Sequence, residues 1–163
     1  MYDGSMSDIY SILDSLGVVY ARYDHPAVFT CQEVAIHCAG IPGGVCKNLF
    51  LRNRKGNRHF LVVIPSEEKV SFAQLESLLG EKLGFASPER LFQFLGVTPG
   101  SATLLGLIND HDKQVEVIID QRLWACDELQ MHPLVNTASL VIKRHDVKKF
   151  LDWRGNQWRI EKL

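Results

Sequence analysis

The sequence has no excess of charge, no apolar run of bilayer length and no paired cysteine motif, and each absence removes a class of function. Formal net charge is −1 over 163 residues, so nothing global attracts a polyanion, and a nucleic-acid partner has to be met by a local patch. No apolar stretch approaches the roughly 20 residues that a spanning helix needs. Residues Met1-Tyr2-Asp3-Gly4-Ser5 carry neither a basic start nor an apolar block, which sets the expectation of no secretory leader and a cytoplasmic setting. The four cysteines, Cys31, Cys38, Cys46 and Cys126, form no C-x-x-C pair. His25, Cys31, His37 and Cys38 do not follow zinc-ligand spacing, so neither a metal nor a cofactor is expected. The thiols read as small buried hydrophobes. The G-x-S-x-G elbow, the P-loop and the dinucleotide-binding glycine fingerprint are missing as well.

What is present is a globular composition, 46% hydrophobic, without repeats, low-complexity tracts or linkers. One domain over residues 1–163 is expected. Helical spacing of Ile9, Ile12, Leu13 and Leu16 predicts a helix over 7–16, stopped by Gly17. A strand follows at 18–23 and ends before His25-Pro26. Thr30-Cys31-Gln32-Glu33 is a capping box and opens a short helix to about Cys38. Ser71 and Ser87 start two more, ending near Leu79 and Leu95. Residues 50–52 and 59–64 flank the turn Arg54-Lys55-Gly56-Asn57 and read as a hairpin. Residues 115–119 and 138–142 are strands, with a helical turn at 121–125 capped by Asp120. A helix covers 145–153, and 157–160 read as a closing strand. Residues 97–110 are glycine-punctuated and uncharged until their end, and read either as a pocket-lining loop or as a loop with a short buried strand. Residues 131–137 read as a loop. The order of elements has no βαβ beat, which points to an α+β fold with a mixed, largely antiparallel sheet.

Chemistry concentrates in three places. Gly43-Gly44-Val45-Cys46-Lys47-Asn48 sets a cation and an amide beside a permissive backbone, an arrangement for an anionic or carbonyl ligand, or simply a loop feeding a core strand. From Lys47 to Arg58 the charged residues are Lys47, Arg52, Arg54, Lys55 and Arg58, with no acid among them. That run is either a solvated hairpin tip or a phosphate-contacting finger. His132-Pro133 presents an imidazole in a loop. Cys46 beside Lys47 raises the further possibility of an activated thiol.

Taken in order, Lys47-Asn48-Leu49-Phe50-Leu51-Arg52, Phe85-Ala86-Ser87-Pro88-Glu89-Arg90-Leu91, Gly100-Ser101-Ala102 with Gly106-Leu107-Ile108-Asn109-Asp110, and His132-Pro133-Leu134-Val135-Asn136-Thr137-Ala138 resemble the YbaK family. These are the aminoacyl-tRNA deacylase domains associated with prolyl-tRNA synthetase, and the likeness is greatest to freestanding alanine-editing members. The resemblance runs from about Ile9 to Phe150. The last motif ends Thr137-Ala138-Ser139, where many relatives carry threonine in the third place; the swap keeps the hydroxyl. The resemblance implies a partly closed mixed β-sheet surrounded by helices, and hydrolysis of alanine wrongly attached to proline tRNA. Lys47, Gly100, Ser101 and His132 would then be catalytic. Asn48, Asn109, Pro133 and Asn136 would bind substrate, and Arg52, Arg54, Lys55 and Arg58 would meet the tRNA. Lys143, Arg144, Lys148 and Lys149 offer a second basic patch. The implied partners are mischarged proline tRNA and prolyl-tRNA synthetase, with no membrane. The expected mechanism is water attack on the ester, with backbone N–H groups at Gly100-Ser101 facing the oxyanion. Cysteine editing, a non-catalytic tRNA- or synthetase-binding module, and a cysteine-nucleophile enzyme are the competing readings.

Overall fold

The structure, a computed structural model, describes residues 6–163; the leader question at residues 1–5 lies outside the described residues. Its elements are α1 (Met6–Ser15), β1 (Tyr20–Asp24), α2 (Cys31–His37), β2 (Gly44–Asn53), β3 (His59–Pro65), α3 (Phe72–Leu79), β4 (Leu83–Phe85), α4 (Pro88–Leu95), a 3-10 helix (Leu104–Asn109), β5 (Val115–Asp120), α5 (Gln121–Trp124), β6 (Glu128–Met131), β7 (Ala138–Lys143), α6 (Arg144–Arg154) and β8 (Trp158–Glu161). The caps behave as the side chains dictate. Thr30, Ser71 and Ser87 accept hydrogen bonds from Glu33, Gln74 and Arg90 N–H groups. Gly80, Gly96 and Gly155 end their helices in the left-handed region, which costs a glycine little.

Eight strands form one sheet in the order β1-β7-β6-β2-β3-β5-β8, with β4 also on β2. Four ladders are antiparallel (β1–β7, β2–β3, β2–β4, β6–β7) and three parallel (β2–β6, β3–β5, β5–β8). The edge strands β1 and β8 do not pair with one another among the described residues, so the sheet is open. β3 lies near its middle and is apolar without alternation because both faces are covered. Leu61 and Val63 enter the larger core with Ile9, Leu13, Leu95 and Phe150, whereas Phe60, Val62 and Ile64 enter a second core under Leu75 of α3.

Four segments differ from the expectations. Residues 104–109 are a buried 3-10 helix, capped by Thr103, rather than a strand or open loop. β4 and β6 are strands that the sequence does not announce. One is only three residues long with a central glycine, and the other carries Glu-Leu-Gln-Met without a β-branched residue. β2 begins at Gly44 and not at the apolar run, so Lys47 and Asn48 stand within a strand, opposite Ile64 and Val63.

Candidate active site

β2 is held along one edge by β6 at Gly44 and Val45 and by β4 at Leu51 to Asn53. Residues 46–49 between those ladders have no strand partner on that edge among the described residues. A cavity of about 210 Å³ opens there, lined by Lys47, Asn48, Gly100, Ala102, Ser66 and His132, with Val28 to Cys31 and Val34 along its other side. A narrower recess of about 30 Å³ continues inward, bounded by Val34, Cys38, Val45, Cys46, Asn48, Gln130, Met131, His132 and Ser139. The recess shares five of these residues with the outer cavity, and its volume suits about one water- or methyl-sized group. Volume alone does not mark the site. A hollow of about 400 Å³ beside Gly80 to Lys82 is a surface trough without a histidine.

Two distant stretches thus supply the polar wall. Lys47 is half-buried and has no ion-pair partner among the described residues. Asn48 Oδ1 is buried without a hydrogen-bond donor, a state that costs free energy unless a ligand or water supplies the donor. His132 Nδ1 lies 3.0 Å from the Ala138 carbonyl. A carbonyl can only accept, so Nδ1 carries the proton and Nε2 is the nitrogen left for a ligand. Burial pushes the His132 pKa below its ordinary value, against the Ala138 hydrogen bond and with a smaller contribution from His25. At neutral pH Nε2 is therefore an acceptor. His25 stands behind it, ring centroids 6.2 Å apart, and meets Ser139 Oγ at 2.9 Å through Nε2.

The remaining expected residues divide. Gly100 lines the cavity with φ +91°. Ser101 is buried just behind it, but its N–H already donates to Thr98 O at 3.0 Å and is not free to hold an oxyanion. Asn136 donates from Nδ2 to the Val28 carbonyl at 3.0 Å, while Val28 N–H donates back to Asn136 O. That exchange fixes the far rim. Pro133 is buried beside His132. Asn109 is elsewhere: its Nδ2 donates to Leu95 O at 2.9 Å and braces the end of α4 against Gly96. Gly43, with φ +94°, lets the backbone approach Glu128 rather than a ligand, and Gln130 ties down the same loop through the Ile41, Pro42 and Gly43 carbonyls.

The exposed tip of the basic hairpin begins at Arg54, seven residues on from Lys47 and just past the end of β2, roughly 20 Å away at about 3.3 Å per residue. Asn53 Oδ1 shapes its turn by accepting from the Asn57 and Arg58 N–H groups. Arg58 is engaged by Glu116 and Glu81 and Arg52 bonds the carbonyls of Asn53 and Arg54. Arg54 and Lys55 are exposed at the tip. The second patch is half neutralised. Lys148 pairs with Asp152, Lys149 with Asp146, and Arg144 donates to Trp124 O.

Sequence reasoning missed Phe29, Val34 and Ser66, whose place at the cavity depends on strand pairing and carries no local signal; Ser139 was noticed as the end of a motif but not as a wall of the recess. His25-Pro26 resembles His132-Pro133 in composition and could have been noticed. Cys46 is half-buried and packs against the larger core, and desolvation of its thiol, with Cys126 nearby, pushes it up to about 12; a thiolate nucleophile is not favoured there.

The family model for aminoacyl-tRNA editing domains matches residues 25–150. The chain is 34% identical over 152 residues to the prolyl-tRNA editing protein ProX of Acetoanaerobium sticklandii, covering 93% of each chain. It is 30% identical over 148 residues to prolyl-tRNA synthetase associated domain-containing protein 1 of Danio rerio, covering 89% of this chain and 80% of that one. A crystal structure described as a proposed trans-editing enzyme for prolyl tRNA synthetase superposes with a TM-score of 0.73, covering 100% and 99% of the two chains; at 20% identity this likeness is one of fold.

Proposed function

The chain belongs to the aminoacyl-tRNA editing domain family, and from that premise we propose that its substrate is alanine wrongly esterified to proline tRNA. The activity is that of an aminoacyl-tRNA deacylase editing mischarged proline tRNA. The observation that carries the alanine reading is the 30 Å³ recess bounded by Asn48 and His132, which continues from the cavity that Lys47 lines. A methyl group enters such a space, and a pyrrolidine ring does not. Discrimination by added bulk is what a second, hydrolytic site contributes, since a synthetase pocket rejects a smaller residue by only about 10- to 200-fold per methylene.

The chemistry follows from the side chains. An aminoacyl ester is already activated, so water attack requires positioning and charge stabilisation rather than a covalent intermediate. Lys47 supplies the cation for the developing oxyanion or for the terminal phosphate. With the Ser101 N–H engaged by Thr98, the burden on Lys47 is greater than the sequence implies. His132 Nε2 accepts a hydrogen bond from the terminal ribose hydroxyl and orients it toward the water. The buried Asn48 Oδ1 takes a donor from the substrate, for which the α-ammonium group is the strongest candidate.

Cysteine on the same tRNA is the second reading. The observation that favours it is that same unpaired acceptor, which a thiol could also reach. A panel of alanyl, cysteinyl, seryl and prolyl esters on proline tRNA separates them. Alanyl hydrolysis should be fastest, prolyl hydrolysis undetectable, and Lys47→Ala should strongly depress the former. Equal turnover of the prolyl ester would contradict exclusion by size, and unchanged turnover in Lys47→Ala would remove that lysine from the site.

A further inference from the structure

Phe29 is an anomaly for an apolar side chain. It is 66% exposed, while its neighbour Val28 is 2% exposed. Among the exposed large hydrophobic residues that the structure describes, Phe29 alone lines the Lys47–His132 cavity. Its exposure is not that of a loose loop. Val28 is pinned on both its N–H and its carbonyl by Asn136. Thr30 caps α2 on the other side by accepting from Glu33 N–H. The ring also leans over Gly100, where a Cβ would stand 2.9 Å from Phe29 Cδ1. A side chain at position 100 would collide with the ring, so the glycine keeps the aromatic group at the rim. The backbone on both sides thus holds an open aromatic surface at the cavity mouth.

We propose that Phe29 is the platform on which the terminal base of the tRNA stacks, an inference that rests on the deacylase reading above. If the esterified ribose is to reach Lys47 and His132, the attached base is left at the rim. The 3′ end of a mature tRNA is an adenosine with no pairing partner. Single-stranded bases are commonly held by aromatic side chains, because every base has a π-face and stacking needs no hydrogen-bond code. Stacking adds affinity without depending on the amino acid, so it leaves selectivity to the inner recess. It also offsets the weak electrostatic attraction expected of a chain with net charge −1.

The test uses the intact protein and an alanylated proline-tRNA minihelix. Phe29→Ala should raise KM about 5- to 150-fold, the range of one base–aromatic stack, with kcat little changed. Phe29→Tyr should restore KM and Phe29→Leu should not, which distinguishes a stack from an apolar wall or a folding defect. On a minihelix whose terminal ribose lacks its base, wild type and Phe29→Ala should have the same KM. An uncharged minihelix ending in 2-aminopurine should lose fluorescence on binding wild type and keep it with Phe29→Ala. Unchanged KM in Phe29→Ala, or rescue by leucine equal to that by tyrosine, overturns the stack and leaves the deacylase reading intact. A wild type that quenches 2-aminopurine through Phe29 yet hydrolyses no ester in the panel overturns the deacylase reading and leaves the stack.

Discussion

Replacing Arg58 with glutamine separates the two roles open to the hairpin. If Arg58 were a phosphate contact, its loss would weaken tRNA binding and leave the fold alone. The structure gives it other work. Arg58 Nη2 and Nε meet Glu116 Oε1 and Oε2 at 2.9 and 3.0 Å, and Nη1 meets Glu81 Oε1 at 3.2 Å. Its Cζ lies 5.0 Å from the Phe60 ring centroid. The arginine side chain is 37% exposed and each glutamate 29%, so solvent screens both pairs. A two-pronged pair of this kind contributes about 1 kcal/mol, the single contact about half that, and the cation–π contact about 0.5 kcal/mol. Arg58→Gln should therefore cost about 2 kcal/mol, or roughly 4–8 °C in Tm for a chain of this size. The assays are thermal melting and tRNA affinity measured over a salt series. Arg58→Gln should lower Tm and keep the salt slope. Arg54→Gln with Lys55→Gln should keep Tm and, if the tip meets the acceptor stem, flatten the slope by about 0.7–0.9 for each phosphate no longer neutralised. An Arg58→Gln protein with an unchanged Tm and a flatter salt slope would refute the structural assignment.

Two further outcomes follow from buried groups. Burial lowers the pKa of His132 and of His59, and Arg90 adds to the shift at His59. A histidine harder to protonate folded than unfolded binds more protons in the unfolded state. Stability should then be complete above the ordinary histidine value of about 6.5 and fall as pH drops below it; urea midpoints that stay level from pH 7.5 to 5.5 would contradict this. Alkylation at pH 8 should label exposed Cys31 and spare Cys46, whose thiol, pushed up to about 12, is ionised in only about one molecule in ten thousand. Selective labelling of Cys46 would reopen the thiol route.

The legible part of this protein is local. Helix starts at Thr30, Ser71 and Ser87 and the stops at Gly80, Gly96 and Gly155 follow from hydrogen bonds and backbone freedom within a few residues. The strands β3, β5 and β7 follow from apolar runs that need no partner to be recognised. Ordered motifs around Lys47, Gly100 and His132 pointed to the family because motif order survives where overall identity is low. By contrast β4 is a strand because β2 offers it an edge, and β6 because it is taken between β7 and β2. Asn109 and Ser101 sit inside motifs, yet the structure turns the first toward Leu95 O and commits the N–H of the second to Thr98 O.

By itself the sequence determined which segments bury, where helices begin and end, and which family the chain joins, since these depend on side-chain chemistry at short range. Tertiary structure alone decided that Lys47, Asn48, Gly100 and His132 share one hollow, that Arg58 braces the sheet, and that Phe29 stands open at the rim. Those outcomes depend on pairing between strands far apart in the chain, and on the gap left where β2 passes from β6 to β4.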